Sequence, residues 1–378
     1  MIYLDNAATS GHKPQTVINA VNYALKSLSA NPGRSGHRVS LEAANAVYKA
    51  REKVSNFFGG SAAENVVFTL NCTESINFVL KGVLKEGDHI IVSSMEHNAV
   101  MRPLEKLGLK YDIAEVSMEN DEQTIENFKK KIKPNTRLIF CTAASNVTGK
   151  ILPLKEIGEI CKGKGILFGV DAAQAAGVVP INMKNMGIDY LCIAPHKGLY
   201  APMGIGILIC EKPIYNTIVE GGTGSNSISL SQPLELPERL ESGTVNLPGI
   251  LGVLAGVEFI QNKGIDRIYK YETMLNQKLY NGLLKNKNIE LYTAFPKIWD
   301  FTPTISFNIK NMESGEVAQL LSEKGIAVRG GLHCAPTAHR ALNTLSRGTV
   351  RVSVSIFNKE SDIIYLLNIL NSKYFIKN

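Results

Sequence analysis

Between Val66 and Ile209 the sequence alternates short apolar runs with helical patterns, and no other feature restricts the fold as much. Val66-Val-Phe-Thr69, His89-Ile-Ile-Val92, Lys110 to Val116, Arg137 to Ala143, Ile166-Leu-Phe-Gly-Val170 and Tyr190-Leu-Cys-Ile193 read as strands. The fully apolar runs among them suit strands covered on both faces. Helical patterns separate them: Ser75 to Leu84, a segment around Thr124 to Ile132, and one opened by Pro153. Strand then helix, repeated, predicts an α/β chain with a mostly parallel sheet flanked by helices.

Two of these runs end in polar tetrads, Asp171-Ala-Ala-Gln174 and Ala194-Pro-His-Lys197. Functional groups of open α/β sheets gather at the carboxyl ends of strands, so an acid, an amide, an imidazole and an amine are expected around one crevice. A lysine amine there can form a Schiff base with an aldehyde cofactor. A buried carboxylate can pair with a pyridinium nitrogen and make the ring an electron sink. On spacing alone, Asp171 serves equally as a helix cap and Lys197 as a solvated charge. The turn Asn71-Cys-Thr-Glu74 joins a strand to a helix start, where free N–H groups favour a phosphate. A plain Thr73 cap fits the same residues. His97, just past a strand end, could stack on a flat ring or be structural.

Cys334 differs from Cys72, Cys141, Cys161, Cys192 and Cys210. It lies beside His333 in the polar loop Gly330-Gly-Leu-His-Cys-Ala335, where nearby cations would favour the thiolate; an idle exposed thiol is the other reading. Gly204-Ile-Gly-Ile-Leu-Ile209 lacks the helix start of a dinucleotide fingerprint. Gly221-Gly-Thr-Gly-Ser225 reads as a mobile loop able to touch phosphate.

At 378 residues the chain has room for two domains. The expected division is 12–250 for the large unit, with 1–11 and 251–378 forming a smaller α+β unit that carries the Cys334 loop. Met1 to Ser10 reads as an extended arm, Lys13 to Leu28 as a helix opened by Pro14, and Leu41 to Phe58 as an amphipathic helix. A long helical region from Pro248 to about Leu284 would link the units. The tail offers strands Thr304 to Ile309, Ile326 to Arg329 and Thr349 to Ser355. Its helices are Glu316 to Lys324, capped by Ser314, and Ser361 to Leu370.

The net charge of +7 is spread over scattered lysines, with no basic stripe interleaved with aromatics, so no nucleic-acid partner is expected. No apolar stretch is long enough to span a bilayer, and the N-terminus has no signal-peptide pattern; the expectation is a cytoplasmic enzyme without a membrane partner. The six cysteines show no CxxC pairing, so neither a metal site nor a disulfide framework is expected.

Seven stretches occur in one order along nearly the whole chain. They are Tyr3-Leu-Asp-Asn-Ala-Ala-Thr9, Asn71-Cys-Thr-Glu74, Glu96-His97, Ser145-Asn-Val-Thr-Gly149, Asp171-Ala-Ala-Gln174, His196-Lys197 and Arg329 to Ala335. Together they resemble the class V aminotransferase-fold enzymes that depend on pyridoxal 5'-phosphate (PLP), in particular the cysteine desulfurases and selenocysteine lyase-like proteins. The resemblance implies the fold type I architecture of PLP-dependent transferases. It implies Lys197 as the Schiff-base lysine, Asp171 on the pyridine nitrogen, Gln174 near the phenolic oxygen and His97 stacked over the ring. Thr73 and His196 would hold the phosphate, helped by the backbone at Cys72. Thr223 would reach the phosphate of a partner subunit in a homodimer. Asn146 and Arg329 would hold the substrate carboxylate, with His37 and Arg351 near the entrance. Cys334 would take sulfur from L-cysteine as a persulfide, leaving L-alanine, and pass it to an acceptor protein or a reductant.

Ala194 stands where many relatives carry a phosphate-binding serine, and Leu332 replaces the first histidine of the usual Gly-His-His-Cys run. A selenocysteine lyase, another lyase of this fold or an aminotransferase is the alternative activity. A third reading is a catalytically idle scaffold of this fold that binds a partner, and the intact Lys197, Asp171, Gln174 and His97 argue against it.

Overall fold

The computed structural model describes residues 1–224, 227–372 and 375. Its first part runs β1 (Ile2–Tyr3), α1 (Gln15–Ser27), α2 (Arg38–Phe58), β2 (Val66–Thr69), α3 (Cys72–Val83), β3 (His89–Ser93), α4 (Asn98–Leu107), β4 (Lys110–Ala114), α5 (Asp121–Lys131), β5 (Thr136–Thr142), α6 (Leu154–Lys164), β6 (Leu167–Asp171), α7 (Met183–Met186), β7 (Tyr190–Ile193) and β8 (Gly206–Cys210). The second runs α8 (Leu247–Lys263), α9 (Ile265–Leu284), β9 (Ile289–Leu291), β10 (Thr304–Ile309), α10 (Ser314–Glu323), β11 (Ile326–Ala327), β12 (Arg329–Gly331), α11 (Pro336–Ala341), β13 (Thr349–Ser353) and α12 (Glu360–Leu370).

Seven strands form one sheet in the order β2-β8-β7-β6-β5-β3-β4. Strands β4, β3, β5, β6 and β7 are mutually parallel; β8 runs antiparallel to both of its neighbours. Alternate residues supply two cores. Ile91, Ile139, Phe168 and Leu191 face one layer of helices, whereas Ile90, Val92, Phe140 and Tyr190 face the other. Strands β12-β13-β10-β9 form a separate antiparallel sheet around Phe307, Val350 and Val352. The first strand pairs in parallel with β11, so the N-terminal arm lies against the C-terminal part of the chain.

Several expected boundaries move. The helix after β2 begins at Cys72, three residues before Ser75, because Asn71 caps it through the Glu74 amide. The region from 248 to 284 is two helices, parted at Gly264, whose φ of 83° leaves the helical range. Ser314 is not a cap: its hydroxyl donates to the Arg347 carbonyl, and Glu313 precedes the helix without a capping bond. The strand expected over Ile326 to Arg329 divides, β11 pairing with β1 and β12 with β13.

Two features of α8 and α9 give direct tests. A Cβ on Gly256 would stand 2.0 Å from the Leu199 carbonyl oxygen, so α8 lies closer to the Lys197 segment than any side chain permits. Gly256→Ala should therefore cost about 1–3 kcal/mol in denaturant titration. Glu272 on α9 is buried, and burial pushes its carboxyl up to about 8. A raised folded-state value means that stability is full below the unfolded value near 4.5 and falls as pH climbs toward 8. Glu272→Gln should then be isostable with the parent at pH 4.5 and more stable by on the order of 2 kcal/mol at pH 9, read as a Tm difference.

Candidate active site

The carboxyl ends of β3, β5, β6 and β7 close on a cavity of about 240 Å³. Ten residues expected at the site line it: Cys72, Thr73, His97, Asn146, Asp171, Gln174, His196, Lys197, Arg329 and Arg351. Ala7 and Ala8 of the N-terminal arm, Asn71, Thr142, Ala194 and His333 complete much of the wall.

Asp171 is the last residue of β6 and is buried. Its Oδ1 accepts from the Ala173 amide at 2.9 Å and lies 3.6 Å from the Cys72 Sγ. Burial, then Asp171, pushes the Cys72 thiol well up, so Cys72 stays an S–H. Lys197 borders the cavity. Burial pushes its ammonium down, while Asp171 and then Cys72 act the other way. An amine so placed more readily gives up its proton and becomes nucleophilic. Gln174 uses one N–H on the Ala7 carbonyl, at 3.0 Å.

His97 caps α4. Its Nδ1 accepts from the Ala99 amide at 3.0 Å, which leaves the imidazole proton on Nε2. Burial lowers this imidazole, with Asp171 opposing, and a neutral ring is the result. The residue before it, Glu96, is fully buried. Its Oε1 accepts from the Thr142 amide at 2.9 Å and from the Ser93 hydroxyl, tying the ends of β3 and β5 together, and Oε2 has no partner. Burial pushes that carboxyl up to about 8. In the sequence this acid stood out only as the neighbour of His97 in Glu96-His97.

The first turn of α3 also lines the cavity. Cys72 and Thr73 occupy its first two positions, whose amides have no intrahelical acceptor. The His196 ring stands nearby with its Nδ1 buried and unpartnered; burial and then Lys197 lower it to about 4. Asn71→Ala should cost about 1 kcal/mol in urea titration, as loss of an N-cap does, and should weaken anion binding at this helix end.

Arg351 was expected near an entrance. It is instead a buried strut: its Nη2 meets Asp5 Oδ1 at 2.8 Å and its Nη1 meets the Asn146 carbonyl at 2.9 Å. His37 is exposed, caps α2 through the Ser40 amide and does not line this cavity. Thr223 lies in a different cleft, of about 340 Å³, with Arg34, Tyr48 and Glu241. Of the glycine loop around it, Ser225 falls outside the described residues.

Cys334 is the one exposed cysteine among the described residues. Its Sγ lies 3.7 Å from Arg329 Nη2, and its carbonyl accepts from the Asn98 amide at 2.7 Å. His333 and Cys334 both have left-handed backbone, at φ 50° and 58°. Such a conformation costs non-glycine residues on the order of 1 kcal/mol each and persists only when its surroundings enforce it. The polar face of β13 does much of this enforcing. Thr349, Arg351 and Ser353 alternate on one side and hold, in turn, His333, the Asn146 segment and Ala7 of the arm. Past the loop, Ala335 and Ala338 pack into the core of the large sheet, so Cys334 sits between the two sheets.

The family profile "Aminotransferase class-V" matches residues 2–366. A "Probable cysteine desulfurase" of Methanothermobacter thermautotrophicus is 34% identical over 96% of this chain and 92% of its own. One from Pyrococcus abyssi is 32% identical over 98% and 93%. The apo structure of a cysteine desulfurase from Thermococcus onnurineus superposes with a TM-score of 0.90 at 32% identity, covering 98% of this chain and 93% of that one. A cysteine desulfurase of Escherichia coli, solved in an S-sulfonic acid form, gives 0.85 at 27% identity over 98% and 93%. The profile match over almost the full length, with relatives above 30% identity that the chain spans nearly end to end, makes this chain a member of the class V aminotransferase family.

Proposed function

We propose that the protein is a PLP-dependent cysteine desulfurase that converts L-cysteine to L-alanine and retains the sulfur on Cys334. The observation that carries the reading is one cavity walled by Lys197, Asp171 and His97, with the Arg329 guanidinium beside it reaching the Cys334 sulfur.

The residues fit PLP by their donors. A helix N-terminus and the unpartnered Nδ1 of His196 suit a phosphate, and a buried carboxylate suits a basic ring nitrogen. When bound, PLP supplies an aldehyde for Lys197 and an electron sink for the substrate Cα. Thr73 and His196, with the backbone at Cys72, would hold its phosphate. Asp171 would keep the ring nitrogen protonated, and Gln174 would direct its remaining N–H to the phenolic oxygen. His97, neutral and fixed by the Ala99 amide, presents a flat face.

Lys197 takes the α-proton and returns it, a role suited to an amine whose ammonium is lowered by burial. Arg329 meets the substrate carboxylate with its planar fork, and Asn146 assists. The Cys334 thiolate then attacks the substrate sulfur. A sulfur–sulfur bond forms and the substrate's carbon–sulfur bond breaks. The electron pair goes to that carbon, which takes a proton and leaves in alanine. No external oxidant enters the step; an acceptor thiol or a reductant later removes the persulfide sulfur.

Residues 12–250 would act as the cofactor unit, with 1–11 and 251–378 as the unit carrying Cys334. The active species would be a homodimer, consistent with exposed Tyr23, Leu25, Tyr48, Ile228 and Leu230, with Thr223 completing the partner's phosphate site. No helix among the described residues is long and apolar enough to cross a membrane, and a cytoplasmic location suits a persulfide enzyme whose cysteines are free. Incubating PLP-loaded protein with L-cysteine and a thiol reductant should give alanine and sulfide in equal amounts. Alanine without sulfide, or pyruvate in place of alanine, would overturn the reading.

A further inference from the structure

The Cys334 sulfur is useful only if it is held at one place, yet the backbone that carries it is intrinsically unfavourable. Two consecutive non-glycine residues, His333 and Cys334, adopt left-handed φ values. Three backbone contacts fasten the turn: Asn146 Nδ2 to the His333 carbonyl at 2.7 Å, the Asn98 amide to the Cys334 carbonyl at 2.7 Å, and the Ala335 amide to the Leu332 carbonyl at 2.9 Å. Of the two left-handed residues, only His333 has its side chain anchored in the interior. His333 is 2% exposed, and its Nε2 lies 3.0 Å from the Thr349 carbonyl and 3.1 Å from the Thr349 hydroxyl.

A carbonyl oxygen only accepts, so Nε2 carries the ring proton and donates to Thr349. The Thr349 hydroxyl in turn has Ser306 Oγ at 3.3 Å as its own acceptor. His333 Nδ1 is buried without a partner, so the hold on this ring rests on its Nε2 side. Burial, helped by Arg351, His339 and Arg329, keeps the imidazole neutral far below working pH.

We propose that His333 is a positioning residue for the sulfur-transfer step: through Nε2 and Thr349 it locks the left-handed His333–Cys334 turn to β13 and so fixes the Cys334 sulfur beside Arg329. The role in catalysis rests on the reading of Cys334 as the sulfur nucleophile; the lock itself does not.

The test compares PLP-loaded parent protein with His333→Gln, His333→Asn and His333→Ala. A glutamine amide can reach the place of Nε2, and an asparagine amide, one carbon shorter, cannot. Hydrogen exchange read by mass spectrometry should quicken at least about tenfold in peptides covering 332–336 in the Asn and Ala variants, and stay within about threefold of the parent in Gln. Peptides from β5 and β6 should not change. With L-cysteine, kcat should fall at least about tenfold in the Asn variant, with KM within about twofold, and His333→Gln should recover most of it.

Unchanged exchange over 332–336 in the Asn variant, or equal behaviour of Gln and Asn, overturns the proposal. If the Ala variant does not fold, the Gln and Asn pair decides. Cys334→Ala, assayed alongside, separates the two ideas. If it still forms alanine from cysteine, the nucleophile reading fails, while the exchange data still judge the lock.

Discussion

Replacing Cys334 with alanine is expected to lower kcat for alanine formation from L-cysteine by at least about a thousandfold, with the cofactor still bound. The reason is the scarcity of thiols that can act. Cys72, Cys141, Cys161, Cys192 and Cys210 are buried, and burial pushes each thiol up, so none offers a thiolate to a substrate. Cys334 is exposed, within reach of a guanidinium, and on a turn fastened beside the His97 helix. Serine in its place should be as inactive as alanine, because a hydroxyl is a poor nucleophile toward sulfur. Alanine production and the mass of the Cys334-containing peptide after a single turnover check this. Full activity in Cys334→Ala would mean that a small thiol in the assay, and not a protein side chain, takes the substrate sulfur.

Lys197→Ala should lower turnover by about 10⁴-fold or more and abolish the covalent attachment of PLP. Borohydride reduction followed by peptide mapping should fix the cofactor on residue 197 of the parent protein and nowhere in the variant. Thr73, His196, Asp171 and Gln174 remain, so the variant should still bind PLP reversibly, more weakly. If reduction trapped the cofactor on a different lysine of the parent, such as Lys13, the assignment of Lys197 would be wrong. Lys13 is the instructive competitor. Burial lowers it to about 8, but its Nζ is already committed to the Ser10 hydroxyl and the His196 carbonyl.

Much of this was legible in the sequence because its signals are local. A strand's apolar run and the polar residues that close it are adjacent in the chain, so Asp171 and Lys197 fall at strand ends as the pattern requires. Gly264 splits the long helical segment, a single-residue event that periodicity passes over. The role of Arg351 was not legible. Its partners, Asp5 and Asn146, lie 346 and 205 residues away, and nothing nearby distinguishes a buried strut from an entrance cation. The anchoring of His333 was hidden for a similar reason: the residue lies in a turn, and its partner Thr349 is on β13. Glu96 was visible only as half of a dipeptide motif, since its hydrogen bonds converge from the ends of two strands.

The N-terminal arm carries a last consequence, for how the enzyme comes into being. Ile2 pairs with Ile326, Asp5 with Arg351 and Ala7 with Ser353, and the same arm presents its Ala7 carbonyl to Gln174 in the cofactor cavity. The arm is translated well ahead of its docking partners, with 346 residues between Asp5 and Arg351. A nascent chain still lacking β11 and β13 therefore cannot close the pocket, however completely its seven-stranded sheet has formed. A pocket of native geometry forms only after β11 and β13 have been made. Contacts of this sequence separation also form slowly, so apo-protein recovered soon after synthesis should be a normal stage in the enzyme's life.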